Sequence, residues 1–113
     1  MHELALMAGM LEIIRGEARA QGFTRVSRVV LEIGRLAGVE PEALRFAFDV
    51  SACGTVAEGA ELEIEEPEGR AECSDCLRIV PVGSIRGGCP SCGGNSLKVI
   101  SGKEMRVKFL DVD

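Results

Sequence analysis

The stretch CSDCLRIVPVGSIRGGCPSCGG, residues 73–94, holds four of the chain's five cysteines, as two Cys-X-X-Cys pairs separated by twelve residues. A two-residue spacing turns both thiolates of a pair toward one ion, and two such pairs complete a tetrahedron. The glycines of CPSCGG permit the tight turns that aim backbone amides at the sulfurs. Cys73, Cys76, Cys89 and Cys92 are therefore expected to hold one structural zinc in a closed site with no position left for water. Rubredoxin-type iron has similar spacing and stays open, as does a reading as two separate redox pairs. The odd cysteine count argues against a disulfide framework. Cys53 has no neighbouring ligand and is expected to be a buried small hydrophobe.

Upstream of the knuckles, Leu4, Met7, Leu11, Ile14 and Ala18 recur at helical spacing, widened by Leu6, Met10 and Ile13. They predict a helix of about 18 residues ending near Gly22. Its methionines read as core filler. Arg25 to Gly34 reads as a strand, with Val29, Leu31 and Ile33 on one face and Arg28, Val30 and Glu32 on the other. Pro41 suits a first helical position, and Leu44, Ala47, Phe48 and Ser51 form the inner stripe of a second helix. ELEIEEP then reads as a strand with Leu62 and Ile64 inward and its glutamates solvated. After the knuckles, LKVIS and KEMRVKFLDVD are strand-like, with Met105, Val107 and Phe109 inward. The last strand needs a sheet that the knuckles are too small to offer, so it is assigned to the first domain. The expected fold is α+β: two helices on a three-stranded mixed sheet, with an inserted four-cysteine zinc ribbon. The expected domains are 1–69 with 99–113, and a zinc-binding module over 70–98.

The 113 residues suit about one domain with a small satellite. The hydrophobic share of 46% and charged share of 27% are those of a globular chain, and the formal charge of −5 gives no general attraction to nucleic acid or anionic membrane. The apolar run Leu4–Leu11 followed by Ala18-Arg19-Ala20 imitates a signal peptide. However, Glu3 replaces a positive leader, and Glu12, Arg15 and Glu17 interrupt the stretch. The expected location is the cytoplasm, with no membrane partner. A zinc-ribbon adaptor for nucleic acid or protein is the alternative reading, carried by Arg70, Arg78, Arg86 and Lys98. Residues 70–98 contain no aromatic on which a base could stack, so no nucleic-acid partner is expected. No nucleophile–base pair or phosphate loop is evident, so an enzyme is not expected.

His2 is the single histidine. The Met1 amine, the His2 backbone nitrogen and the His2 imidazole can close linked five- and six-membered chelate rings. The Glu3 amide can add a fourth nitrogen. Four in-plane nitrogens suit square-planar Ni(II) or Cu(II), not tetrahedral zinc. An N-terminal MHE, a helix–strand–helix–strand order and an inserted pair of knuckles with the CPxCG form together resemble the HypA/HybF family, nickel metallochaperones of NiFe-hydrogenase maturation. The resemblance covers nearly the whole chain. It implies nickel, as transient cargo, at Met1, His2 and Glu3, and structural zinc at Cys73, Cys76, Cys89 and Cys92. It also implies work with the nucleotide-hydrolysing nickel chaperone HypB and with the immature hydrogenase large subunit. Urease maturation factors are further candidate partners, and homodimerisation stays open. Some relatives carry histidines in or beside the zinc module; here there are none, so no second imidazole of this chain can join the nickel, and the fourth donor is an amide, a carboxylate, water or a partner's group.

Overall fold

The computed structural model describes residues 2–113, apart from the side chain of Ile85; Met1, one of the expected nickel donors, lies outside the described residues. The chain divides into two compact units, Met1–Leu31 with Val39–Ile64 and Arg106–Asp113, and Glu32–Gly38 with Glu65–Met105. No described helix is long and apolar enough to cross a membrane.

In the first unit, α1 (Glu3–Gln21) buries Met7, Met10, Leu11, Ile14 and Ala18 of the expected stripe, whereas Leu4 and Ile13, expected in it too, are exposed and Leu6 is half-buried. It ends where Gly22 takes a left-handed conformation (φ 78°) and donates its N–H to the Ala18 carbonyl at 2.8 Å. Strand β1 (Val26–Ile33) leads to α2 (Pro41–Ser51), whose proline occupies the first turn, where its missing N–H costs no hydrogen bond. The two helices pack on each other, and Leu44, Ala47 and Phe48 of α2 join the core. Strand β2 (Glu61–Glu65) and the C-terminal strand, β6 (Met105–Val112), flank β1 in the order β2-β1-β6. Arg28 ties the three strands together, reaching Glu63 at 2.6 Å and Asp111 at 2.7 Å, with its guanidinium 5.0 Å from the Phe109 ring centre.

Val30, on the opposite face of β1 from Val29 and Leu31, is buried like them, so the centre of the strand is covered on both faces. The expected inward face of β6 needs correction. Met105 and Phe109, expected inward, are each 42% exposed, and only Val107 of that trio is half-buried. β6 is an edge strand, and Phe109 there lies beneath the Arg28 cation instead of entering the core.

In the second unit, β3 (Arg70–Cys73) is the centre of a small antiparallel sheet between β4 (Ile79–Pro81) and β5 (Leu97–Ser101). Ala71 faces Val80 on one side and Val99 on the other, with a bulge between Arg70 and Ala71 on the β5 side. LKVIS, β5, therefore finds its partner in β3. The core is minimal: Ala71, Cys73, Val80, Val82 and Cys89, with Leu36, Cys76 and Leu97 packed on it. Leu36 arrives on the connection after β1, which is fixed by three hydrogen bonds. Gly34 N–H donates to the Glu104 carbonyl (2.8 Å), Arg35 N–H to Pro67 (3.0 Å) and Leu36 N–H to Gly102 (2.7 Å). The backbones meet so closely that a Cβ on Gly102, at φ 106°, would lie 2.6 Å from the Gly69 Cα, and one on Gly34 would overlap the Gly102 carbonyl.

Candidate metal centre

The two knuckles repeat one backbone design. β3 ends at Cys73, whose carbonyl accepts the Leu77 N–H at 2.8 Å; the Cys89 carbonyl accepts the Gly93 N–H at the same distance. The residue after each second cysteine is left-handed, Leu77 at φ 61° and Gly93 at φ 76°. This turn brings both thiols of a pair to one side. Cys73 N–H donates to Arg78 O (2.9 Å) and Cys89 N–H to Gly94 O (2.7 Å), closing each loop.

All four sulfurs lie within 4.8 Å of one another. Cys73 Sγ is 3.6 Å from Cys92 Sγ, and Cys76 Sγ is 3.8 Å from Cys89 Sγ. A tetrahedron built on zinc–sulfur bonds of about 2.3 Å has edges of roughly 3.8 Å. Sulfur–sulfur bonds would be about 2.05 Å, so these are four thiols around a common centre, not disulfides. Cys73 and Cys89 are buried, Cys76 is half-buried and Cys92 is exposed. The electrostatics point the same way. Backbone N–H donation from Cys92, then from Ser91, draws the Cys89 thiol down to about 7. The Gly94 N–H, 3.4 Å from Cys92 Sγ, acts to lower the Cys92 thiol as well, but the Cys73 thiol, burial and the Cys89 and Cys76 thiols outweigh it and push Cys92 up to about 12. Four crowded sulfurs cannot all ionise unless a cation joins them.

Cys53 takes no part in this cluster and is exposed, contrary to the expectation of burial. Ala52 takes the inward position one turn after Phe48, so Cys53 points outward and its thiol meets the Asp49 carbonyl at 3.3 Å.

At the other candidate region, His2 is the N-cap residue of α1, with extended backbone (φ −84°, ψ 93°) and an exposed side chain. Its imidazole makes no capping hydrogen bond, while its carbonyl starts the helix by accepting Leu6 N–H at 3.1 Å. Glu3 behaves differently. Its Oε2 accepts the backbone N–H of Glu40 at 3.0 Å, and this bond chiefly holds its carboxyl below the usual carboxylate range. Glu40 is the N-cap of α2 and also accepts the Glu42 N–H on its own carboxylate at 3.3 Å. Glu40 and Leu77 are not among the residues that the sequence motifs single out. A glutamate directly before Pro41 was the available signal for the first; nothing in CSDCL marks the second.

The family model for HypA, described as a hydrogenase/urease nickel incorporation metallochaperone, matches residues 1–112. The hydrogenase maturation factor HypA of Acidithiobacillus ferrooxidans is 51% identical over 113 residues, covering all of both chains. That of Rhodopseudomonas palustris is 49% identical over the same span. The solution structure of the nickel metallochaperone HypA from Helicobacter pylori superposes with a TM-score of 0.73 at 24% identity, covering 99% of this chain and 97% of the other. With a match along nearly its entire length and a four-thiol metal site, this chain belongs to the HypA family of nickel-incorporation metallochaperones for hydrogenase maturation.

Proposed function

We propose that the chain carries Ni(II) as cargo on its N-terminal segment and delivers it to the immature NiFe-hydrogenase large subunit, while zinc in the four-cysteine cluster serves structure alone. The donors are the Met1 amine and the His2 amide nitrogen and imidazole, with the fourth place taken by an amide, a carboxylate, water or a partner's group. The observation that carries this reading is the placement of His2 at the start of α1. The first N–H groups of a helix have no acceptor within it, so the amides of His2 and Glu3 lie outside the helical ladder. Each can lose its proton without breaking a helical bond. The partial positive charge of the helix N-terminus favours the amide anions that result. The imidazole is exposed and not engaged in capping.

The chemistry is ligand exchange, not catalysis. Amine, amide and imidazole must all be free of their exchangeable protons to bind metal, so affinity depends on pH, and a receiving site rich in thiolates can win the ion. HypB and, where present, urease maturation factors are the further partners in this reading, and the cytoplasm is its location. Zinc fits the four sulfurs in number, donor type and spacing. Cys73, Cys76, Cys89 and Cys92 would hold it, and it would supply cross-linking of a unit with a minimal core.

Two variants test the nickel assignment separately. His2→Ala removes the imidazole and leaves the amine; a Gly-Ser extension before Met1 keeps the imidazole and moves the amine out of chelate range. Each is expected to weaken 1:1 nickel binding by about 100-fold or more in isothermal titration, with zinc content unchanged. An extended protein that binds nickel as tightly as the native one excludes the terminal chelate.

A further inference from the structure

We propose that the four-cysteine site is also a modification site for peroxide: the exposed Cys92 is oxidised first, and Cys73 of the other knuckle then closes a disulfide with it, so that a covalent bond takes over the cross-link between the knuckles. This rests on the zinc reading and adds a second chemistry to the same sulfurs.

Access selects the sulfur. Cys73 and Cys89 are buried and Cys76 is half-buried, which leaves Cys92 as the exposed member of the cluster. Its flank is open, because a Cβ on the adjacent Gly93 would meet nothing within 4 Å. The Arg78 guanidinium reaches Ser91 Oγ at 3.5 Å, which sets a cation beside the residue before Cys92. Reactive cysteines sit in such partly exposed, electropositive surroundings. A zinc ligand is a thiolate, the form that attacks peroxide.

Spacing selects the partner. Cys73 Sγ lies 3.6 Å from Cys92 Sγ, and the 3.8 Å approach of Cys76 to Cys89 likewise crosses from one knuckle to the other. Closing Cys73–Cys92 to a bond of about 2.05 Å asks for a movement of roughly 1.5 Å. A disulfide inside either Cys-X-X-Cys pair would leave the knuckles unlinked, with only a minimal core to hold the unit. A bond between knuckles keeps them joined and restricts the unfolded chain.

The Cys92 thiolate attacks one oxygen of hydrogen peroxide and breaks the O–O bond. Sulfur loses two electrons, hydroxide leaves, and a sulfenic acid remains on Cys92. The Cys73 thiolate then attacks the Cys92 sulfur, forming the S–S bond, breaking S–OH and releasing a second hydroxide. Two thiolates are oxidised and one peroxide is reduced. Only Cys76 and Cys89 are then left as ligands, too few for a closed site.

The test uses full-length, zinc-loaded Cys53→Ser protein, which lacks the exposed thiol outside the cluster, treated with hydrogen peroxide alone. Zinc release is read with a chromogenic chelator, sulfenic acid is trapped with dimedone, and disulfides are mapped after trypsin. Cleavage at Arg70, Arg78, Arg86 and Lys98 puts Cys73 and Cys76 on one peptide and Cys89 and Cys92 on another. A dimedone adduct is expected at Cys92 at about 10-fold the level of any other cysteine. Zinc is expected to leave in step with disulfide formation, and the two peptides to be joined through Cys73–Cys92. The amide dispersion of residues 65–105 is expected to persist in the oxidised protein and to collapse when a chelator strips zinc from the reduced one. Separate peptides, each with its own internal disulfide, overturn the proposal, as do peptides joined first through another pair or a predominant adduct on Cys73, Cys76 or Cys89. Zinc that stays bound at peroxide concentrations that oxidise free cysteine overturns it too. Reduced protein that takes up no zinc overturns the zinc reading itself, and this proposal with it.

Discussion

The four-cysteine cluster and the N-terminal segment, the site proposed for nickel, are built by opposite means. At the cluster, strand pairing, two repeated turns and backbone amides converge on four sulfurs that are spaced for a metal before one arrives. At the terminus, the proposed donors lie at an exposed helix N-cap, with the Glu3–Glu40 hydrogen bond beside them. A resident metal goes with a preformed closed cage. A cargo metal goes with donors that the rest of the fold does not need and that can be surrendered without unfolding anything.

The largest expected effect tests the resident side of this contrast. Replacing Cys73 or Cys89 by Ala removes a buried ligand from a unit with five core residues. Apparent binding free energies of structural zinc are about 10–16 kcal/mol, far more than so small a core can replace. Zinc is expected to vanish from elemental analysis and the amide dispersion of residues 65–105 to collapse. The helical circular-dichroism signal of α1 and α2 is expected to remain. Loss of both together would abolish the distinction between resident and cargo regions.

Next in size is the response of the terminus to acid. Nickel must displace protons from its donors, so lowering the pH by one unit is expected to weaken it by at least about tenfold, with zinc retained. Metal analysis after dialysis at each pH measures both ions in one sample. Parallel loss of nickel and zinc would break the comparison. A smaller effect lies in the first knuckle. Leu77 stands left-handed where its counterpart is Gly93, and such a conformation costs a non-glycine residue about 1–2 kcal/mol. Leu77 is 82% exposed, so Leu77→Gly loses little packing and, after the entropic cost of glycine, is expected to stabilise by about 0.5–1 kcal/mol. Thermal denaturation of the zinc-loaded protein reads this, and nickel affinity should not move. The smallest effect belongs to Glu3. Its carboxyl is lowered in the folded protein by the Glu40 N–H, so the contribution is full above the ordinary carboxylate range and is lost as pH falls through the lowered value. The Glu40 amide shift is expected to report that acid step, and Glu3→Gln to abolish it.

The clustering of the four cysteines was legible because two-residue spacing is a local signal, and the same holds for the helices, whose stripes and stops lie in the sequence that forms them. Features that depend on distant chain were not. Cys53 was misread by one position: Ala52 continues the inner stripe of α2, and the end of a helix is where its phase is hardest to follow. Met105 and Phe109 were misread because β6 carries apolar residues on both parities, Val107 and Phe109 against Leu110 and Val112, so alternation could not choose a face. Neither the pairing of β5 with β3 nor the arrival of Leu36 in the small core has any local mark. The Glu3–Glu40 bond joins residues 37 apart in sequence and was likewise out of reach.

The meeting of Gly34, Gly69 and Gly102 bears on how this module could be transplanted. A designer who excised residues 65–105 as one continuous cassette would carry off the four cysteines but leave behind Leu36 and the donors of Gly34, Arg35 and Leu36. The recipient would need to supply a second, separate strand of chain, with glycine where the backbones cross. Unlike a zinc finger strung on a linker, this metal unit can be inherited only as a splice of two segments.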